Sequence, residues 1–401
     1  MSADTLEPFV IDIPQATLDD LHRRLARTRA PESLDDMGWD LGMEPEALRT
    51  LLKHWRDFDW RAAEARLNAV PAFRTDIEGQ GVHFVHVRGE GPHRLPLILT
   101  HGWPSCFTEL LPLVPLLTRE VDGLSFDVVI PSLPGHGFSA APRAPGMNIT
   151  RIADLWVQLM ERLGYPRFLA HGGDMGAGVV ERLRANHASR VLGVHMVNVF
   201  NGYPRTEDLS PEEEAFLARA AAWRAREGAY ALLHATKPRT LAVGLQDSPA
   251  GLAAWMGEKF RSWSDGGGRL DGAISLDELC TVLTLYWVTQ SIGSSIRLYH
   301  EAFSDVGAMS PPPRQGAPLG VLICPRDILP APRAWGERWF ELQHWTELPR
   351  GGHFPGFEVP HLLAEDLRAF ARRVRRTKNG TLGKRGACKE LTNFRELTRL
   401  D

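Results

Sequence analysis

The stretch HGGDMGAG at residues 171–178 constrains this chain more than any other. It follows the apolar run RFLA and leads into VVERLRANH, so a strand must turn at once into a helix. Such a turn strains its central residue and brings strand and helix close together, which demands small neighbours. Gly172, Gly176 and Gly178 meet that demand around Asp174. The familiar version of this turn carries serine. With aspartate the attacking atom is a carboxylate oxygen, already ionised at neutral pH and needing no base to activate it. That chemistry suits substitution at a saturated carbon. It leaves an ester on the protein that water must cleave at its carbonyl, a step that requires a base and an oxyanion hole.

A chain of 401 residues with 43% hydrophobic content can bury a large core, as one α/β domain with an insertion or as two modest domains. Residues 1–90 read as an N-terminal helical extension closing on a hairpin. Leu18, Leu21 and Leu25 recur at helical spacing behind a candidate N-cap at Thr17, and Pro31 stops the run. A second helix opens near Pro45 with Leu48, Leu52 and Trp55 on one side. FRTDIEGQGVHFVHV then predicts two strands joined at EGQG. From 91 to 200, LPLILTHGWP, FDVVIPSLPGHGFS, RFLAHGGDMG and VLGVHMVNVF each read as a buried strand entering a loop, the pattern of a mostly parallel sheet covered on both faces. Residues 201–315 are mainly helical and broken by SDGGGRLDG, which predicts a lid inserted into the core. The strand pattern resumes over 316–375, and 376–401 read as a surface tail.

Partners for Asp174 follow from order along the chain. His353 in RGGHF and Asp327 in CPRD each follow a predicted late strand. This gives the sequence nucleophile, acid, histidine found in the α/β-hydrolase fold, the fold expected here. Asp327 would orient and stabilise the imidazole. HGWP at 101–104 ends an early strand, the place from which that fold supplies one oxyanion donor, here the Trp103 amide; Met175 would supply the other. Pro104 fixes the turn and is a candidate for a cis bond. Each residue also has a plainer reading: Asp174 as a helix cap, Asp327 as a surface carboxylate, Trp103 as core packing.

Across nearly its whole length, to about residue 375, the chain resembles the microsomal type of epoxide hydrolase. The resemblance rests on PFVIDIP, DWRAAEARLNAVPAFRTDIEGQGVHFVHVRG, HGWP, HGGDMGAG, the lid stretch ATKPRTLAVGLQDSPAGLAAWMGEKFRSWSD, SSIRLYHEAF and RGGHFPGFEVP, in that order. It implies hydrolysis of an epoxide to a vicinal diol, with two lid tyrosines donating hydrogen bonds to the epoxide oxygen. These carry over to Tyr230 in EGAYALLHATKP and Tyr299 in IRLYHE, two of only five tyrosines in the chain. By periodicity alone both are ordinary half-buried helix residues. The chain departs from the family pattern at Met175, where tryptophan is usual, at Ser105, where glycine is usual, and at Asp327, where the acid is often glutamate after a Phe-Pro pair. The animal members carry an N-terminal membrane anchor.

Other classes are excluded or left as alternatives. A formal net charge of −3 with mixed signs gives no electrostatic reason to expect nucleic acid or a membrane surface. Cys106, Cys280, Cys324 and Cys388 are far apart and imply neither disulfides nor zinc, so a reduced cytoplasm is the simplest setting. The opening MSADTLEPFVIDIPQ shows neither signal peptide nor membrane anchor. His101, Asp174 and His353 match no metal spacing, and P-loop and dinucleotide fingerprints are missing, so no metal and no cofactor is expected. The expected partners are a small epoxide and water; a homo-oligomer is left open. Detoxification and bacterial secondary-metabolite biosynthesis are both open roles. The alternatives are a haloalkane or haloacid dehalogenase, which would need indole-type halide donors in place of paired phenols, and a non-catalytic ligand-binding protein of the same fold.

Overall fold

The computed structural model describes residues 5–32, 37–200, 202–203, 207–305, 310 and 313–382, with side chains to 376. Its centre is a nine-stranded sheet in the order β1-β2-β3-β5-β4-β6-β7-β8-β9. The strands are β1 (Glu7–Phe9), β2 (Ala72–Ile77), β3 (Gln80–Val87), β4 (Arg94–Thr100), β5 (Ser125–Pro131), β6 (Phe168–Gly172), β7 (Val191–Val197), β8 (Leu319–Ile323) and β9 (Leu342–Glu347). The first three pair antiparallel with their neighbours; from β5 through β4 to β9 every pairing is parallel. The parallel strands read as continuous apolar runs because helices bury both faces. This is the α/β-hydrolase fold.

In the N-terminal extension, α1 (Gln15–Ala26) buries Leu18, Leu21 and Leu25 as expected. It begins two residues before Thr17, with Pro14 at the cap position, and ends five residues before Pro31. Pro14 sets an extended backbone at the entry without a capping side chain, so the cap signal at Thr17 is not used. In α2 (Pro45–Asp57), proline occupies the first turn and the Glu44 side chain caps it; the fully buried leucine is Leu51, with Leu48 and Leu52 only half-buried. A third helix, α3 (Trp60–Asn68), escaped the sequence reading. The β2–β3 hairpin turns at Glu78 and Gly79, both with positive φ, between the paired Ile77 and Gln80. Two left-handed residues in a two-residue turn match the right-handed strand twist.

Among the described residues, six helices lie between β7 and β8: α7 (Pro211–Glu227), α8 (Ala229–Thr236), α9 (Pro238–Asp247), α10 (Pro249–Trp263), α11 (Leu276–Val288) and α12 (Ile292–Phe303). The core itself carries α4 (Leu113–Thr118), α5 (Ile149–Arg162), α6 (Met175–Asn186), α13 (Arg333–Trp339), α14 (Pro355–Glu358) and α15 (Pro360–Leu382). The expected tail therefore starts as the end of α15; residues 383–401, with Cys388, lie outside the described residues. The basic run 371–378 is partly engaged, since Arg372 pairs with Asp122 at 2.7 Å. Among the described residues no helix is long and apolar enough to cross a membrane.

Candidate active site

Asp174 sits between β6 and α6 at φ 51°, ψ −125°, a conformation that L-residues with side chains rarely adopt. The surrounding glycines explain how the backbone accommodates it. A Cβ on Gly176 would lie 2.1 Å from the Thr100 carbonyl oxygen, and one on Gly172 would lie 2.2 Å from the Gly176 carbonyl oxygen. Gly178 is less demanding, since its Cβ would meet only the end of Ile149 at 3.2 Å. A further glycine matters that sequence reading passed over: a Cβ on Gly102 would fall 2.3 Å from Asp174 Cβ.

The Asp174 side chain makes no capping bond to α6. Instead its Oδ1 accepts from the Trp103 amide at 2.9 Å, and the Met175 amide adds electrostatic support to the carboxylate. The Trp103–Pro104 peptide is cis. The early loop is held by His101, whose Nε2 accepts from the Leu133 amide at 3.1 Å. Burial pushes His101 down to about 4, so it stays neutral and its lone pair stays available to that amide.

His353 faces the other carboxylate oxygen, with Nε2 3.4 Å from Asp174 Oδ2. Its Nδ1 bonds to Asp327 Oδ1 at 2.7 Å. Asp327 is itself fixed: Oδ1 accepts from the Ile328 amide at 2.7 Å and Oδ2 from Asn198 Nδ2 at 3.1 Å. Burial opposes a charge on Asp174, but the His353 ring and the Trp103 and Met175 amides outweigh it and hold the carboxyl below its usual range. Burial likewise opposes a charge on His353, and the Asp327 and Asp174 carboxylates hold it well above the usual imidazole value. The resting pair is a carboxylate facing an imidazolium.

Tyr230 on α8 and Tyr299 on α12 converge on Trp103 in the HGWP loop. The Tyr230 ring stacks on Trp103 at 5.7 Å between centroids and 14° between planes, and Tyr299 meets Trp103 edge-on at 6.0 Å. The Trp103 side chain is thus packing while its amide faces Asp174. The two tyrosine rings are 6.0 Å apart. Burial and the Asp174 charge raise both phenols, with Tyr230 adding to the rise at Tyr299, so both remain protonated donors. The hydroxyls interact electrostatically, yet the buried Tyr299 hydroxyl has no well-formed hydrogen bond among the described residues.

A cavity of about 10 Å³, room for the centre of one water, touches Asp174, His353, Glu109, His171 and Leu363. Glu109, on the turn after HGWP, was missed in the sequence; burial pushes its carboxyl up to about 7. Asn198 was missed as well. The signal for both was a polar residue just past the C-terminal end of a parallel strand or its loop, where this fold places its chemistry. The buried Cys106, with its thiol pushed up to about 11 by burial, is not poised as a nucleophile.

An aspartate at the strand-to-helix turn, facing a histidine–aspartate pair at the end of a mostly parallel sheet, places the chain among the α/β hydrolases. Family models match accordingly, one for the epoxide hydrolase N terminus over residues 6–110 and one for the alpha/beta hydrolase fold over 96–254. A Stigmatella aurantiaca protein assigned to the epoxide hydrolases is 42% identical over 381 residues, covering 92% of this chain and 86% of that protein. Epoxide hydrolase 1 of Sus scrofa is 35% identical over 410 residues, covering 92% and 88%. The crystal structure of juvenile hormone epoxide hydrolase from the silkworm Bombyx mori matches with a TM-score of 0.87 and 29% identity over 94% of this chain and 96% of that one. The chain belongs to the microsomal-type epoxide hydrolase family.

Proposed function

We propose that this enzyme hydrolyses an epoxide to a vicinal diol through an ester on Asp174. Oδ1 is held by the Trp103 amide, so Oδ2 attacks an epoxide carbon and the carbon–oxygen bond of the ring breaks. Tyr230 and Tyr299 donate to the departing oxygen, which takes up a proton through them, while the His353 imidazolium, no longer facing a carboxylate, gives its proton up to solvent. A poor leaving group in an apolar pocket needs such donors. His353 emerges neutral. It then removes a proton from water, which adds to the ester carbonyl; the bond to the diol oxygen breaks, that oxygen takes the proton from His353, and the proton left on the regenerated Asp174 carboxyl passes to His353. Epoxide and water are the only reactants consumed.

The observation that carries this reading is the division of labour at Asp174: the Trp103 amide on one oxygen, His353 at 3.4 Å from the other. One observation favours the dehalogenase reading: the Trp103 indole Nε1 is buried without a partner among the described residues, a donor of the kind a halide needs. Single turnover in heavy-oxygen water distinguishes mechanisms. Label is expected in Asp174 after epoxide opening, and His353→Gln is expected to trap the ester, seen as an intact-mass adduct. No adduct with any epoxide, together with halide release from haloalkanes, would replace this reading by the dehalogenase one.

A further inference from the structure

A row of histidines runs through the sheet behind the elbow. The strand register aligns His171 with His195, His195 with Gly320, and Gly320 with His344. Residues paired across parallel strands point to the same face, and α15 covers this one through Asp366 and Phe370. Gly320 supplies the space: a Cβ there would sit 2.8 Å from the Phe370 ring and 3.2 Å from His195. Asp366 bridges the gap, taking His195 Nε2 at 2.8 Å on Oδ2, and His344 Nε2 at 2.7 Å and Thr346 Oγ at 2.6 Å on Oδ1. At the inner end, His195 Nδ1 meets His171 Nδ1 at 2.9 Å. His171 in turn lines the water-sized cavity shared by Asp174 and His353.

Hydrogen-bond logic orders this chain. Burial opposes a charge on Asp366, but the bonds from His195 and His344 outweigh it and hold the carboxyl below its usual range. An ionised carboxylate only accepts, so both Nε2 atoms carry hydrogens. With hydrogen at Nε2 alone, His195 offers a lone pair at Nδ1, and His171 donates to it from its own Nδ1. Burial holds His171 well below the usual imidazole value, so it is neutral and its remaining nitrogen, Nε2, is an acceptor.

We propose that His344, Asp366 and His195 form a positioning relay that fixes His171 as a hydrogen-bond acceptor for the water that cleaves the Asp174 ester. This rests on the ester mechanism above. The water has two hydrogens: His353 removes one, and His171 holds the other without taking it. A lone pair on the water oxygen is then turned toward the ester carbonyl.

The relay acts on the second half-reaction alone, which a purely structural role would not do. In single turnovers of styrene oxide, followed by tryptophan fluorescence and intact mass, His171→Leu is expected to form the ester at the wild-type rate. It should hydrolyse that ester roughly tenfold more slowly. His171→Gln, which restores an acceptor, is expected to recover most of the loss. Asp366→Asn keeps the packing volume but frees the tautomers, and should slow the same step several-fold. Unchanged hydrolysis in either His171→Leu or Asp366→Asn, or an equal loss in both half-reactions, overturns the relay. His195, His344 and Asp366 also lie within 4.8 Å of one another, a spacing a cation could use. Stoichiometric zinc found by elemental analysis of the purified enzyme would place lone pairs at both Nε2 atoms and likewise overturn it. If His353→Gln traps no ester, the underlying mechanism fails; if it does and His171→Leu leaves hydrolysis intact, only the relay fails.

Discussion

His353 Nε2 stands 3.4 Å from Asp174 Oδ2, too long for a strong hydrogen bond and close enough for each group to stabilise the other's charge. In the proposed mechanism, esterification removes one of those charges. The imidazole held well above its usual value in the free enzyme loses the Asp174 contribution at the moment a base is needed. The two half-reactions should therefore respond to pH in opposite ways. Ester formation needs ionised Asp174, whose carboxyl is depressed, and should stay flat as pH falls from 8 to about 5. Ester hydrolysis needs neutral His353 and should slow over the same range. Rapid-quench measurement of both rates checks this; parallel pH profiles would refute the charge coupling.

Asp327 carries the largest favourable charge on His353. Asp327→Asn keeps the shape but removes that charge and offers the wrong hydrogen-bonding atom to Nδ1 half of the time. We expect ester hydrolysis to fall by roughly 10²- to 10⁴-fold. Ester formation should change far less, so the adduct accumulates in intact-mass spectra. Wild-type turnover in this variant would assign the acid role elsewhere.

Replacing Tyr230 or Tyr299 singly by Phe should slow ring opening roughly tenfold, because the other phenol still donates, and the double variant should lose roughly 10³-fold or more. Both rings pack against Trp103, so removing a hydroxyl leaves the stack intact. Pre-steady-state ester formation reads the effect directly. Full-rate opening of styrene oxide by the double variant would remove both tyrosines from the mechanism.

Much of the site was legible because the chemistry lies in short local motifs. HGGDMGAG and HGWP each combine glycines forced by close backbone approach with one functional group, and that combination has few other uses. Asp327 and His353 were legible from their order after predicted strands. Tyr230 and Tyr299 were not legible from pattern, since a lid helix buries ordinary tyrosines with the same periodicity; only the family resemblance located them. Glu109 and Asn198 escaped because loops past strand ends hold many polar residues, and the His171–His195–Asp366–His344 row escaped because it depends on register. A shift of one residue between β7 and β8 would turn His195 away from Asp366, and no local sequence feature fixes that register. The helix α3 escaped for a different reason: Trp60, Ala63 and Leu67 span barely two turns, too few for the periodicity to stand out.

The glycines around Asp174 differ in a way that mutation can resolve. Gly176→Ala would drive a methyl to 2.1 Å from a backbone carbonyl that cannot move without moving β4, whereas Gly178→Ala meets only the flexible end of Ile149 at 3.2 Å. The first should destabilise by at least about 1–3 kcal/mol and cut activity. The second should be close to neutral, because a helical alanine offsets the contact. Urea melts of the two variants measure this; equal stability would mean that the elbow tolerates more than its spacing suggests.

The lid is tied to the core by an ion pair between a half-buried arginine and a buried glutamate, with its own pH signature. Arg338 on α13 grips Glu213 of α7 with Nε 2.5 Å from Oε1 and Nη2 2.8 Å from Oε2. Glu213 also closes the capping box with Ser210 that starts the helix. The Arg338 hydrogen bond is the largest influence on Glu213 and brings its carboxyl down to about 2. A depressed carboxyl stabilises the folded state above the ordinary glutamate value of about 4.3, and that contribution fades as pH falls toward the folded value. Arg338→Met should therefore cost about 2 kcal/mol at pH 7. The gap in melting temperature between variant and wild type should narrow by pH 3, where Glu213 in the variant is already protonated and the wild type is losing its advantage. Thermal melts at the two pH values decide it, and a gap that stays constant would show that Arg338 acts through packing alone.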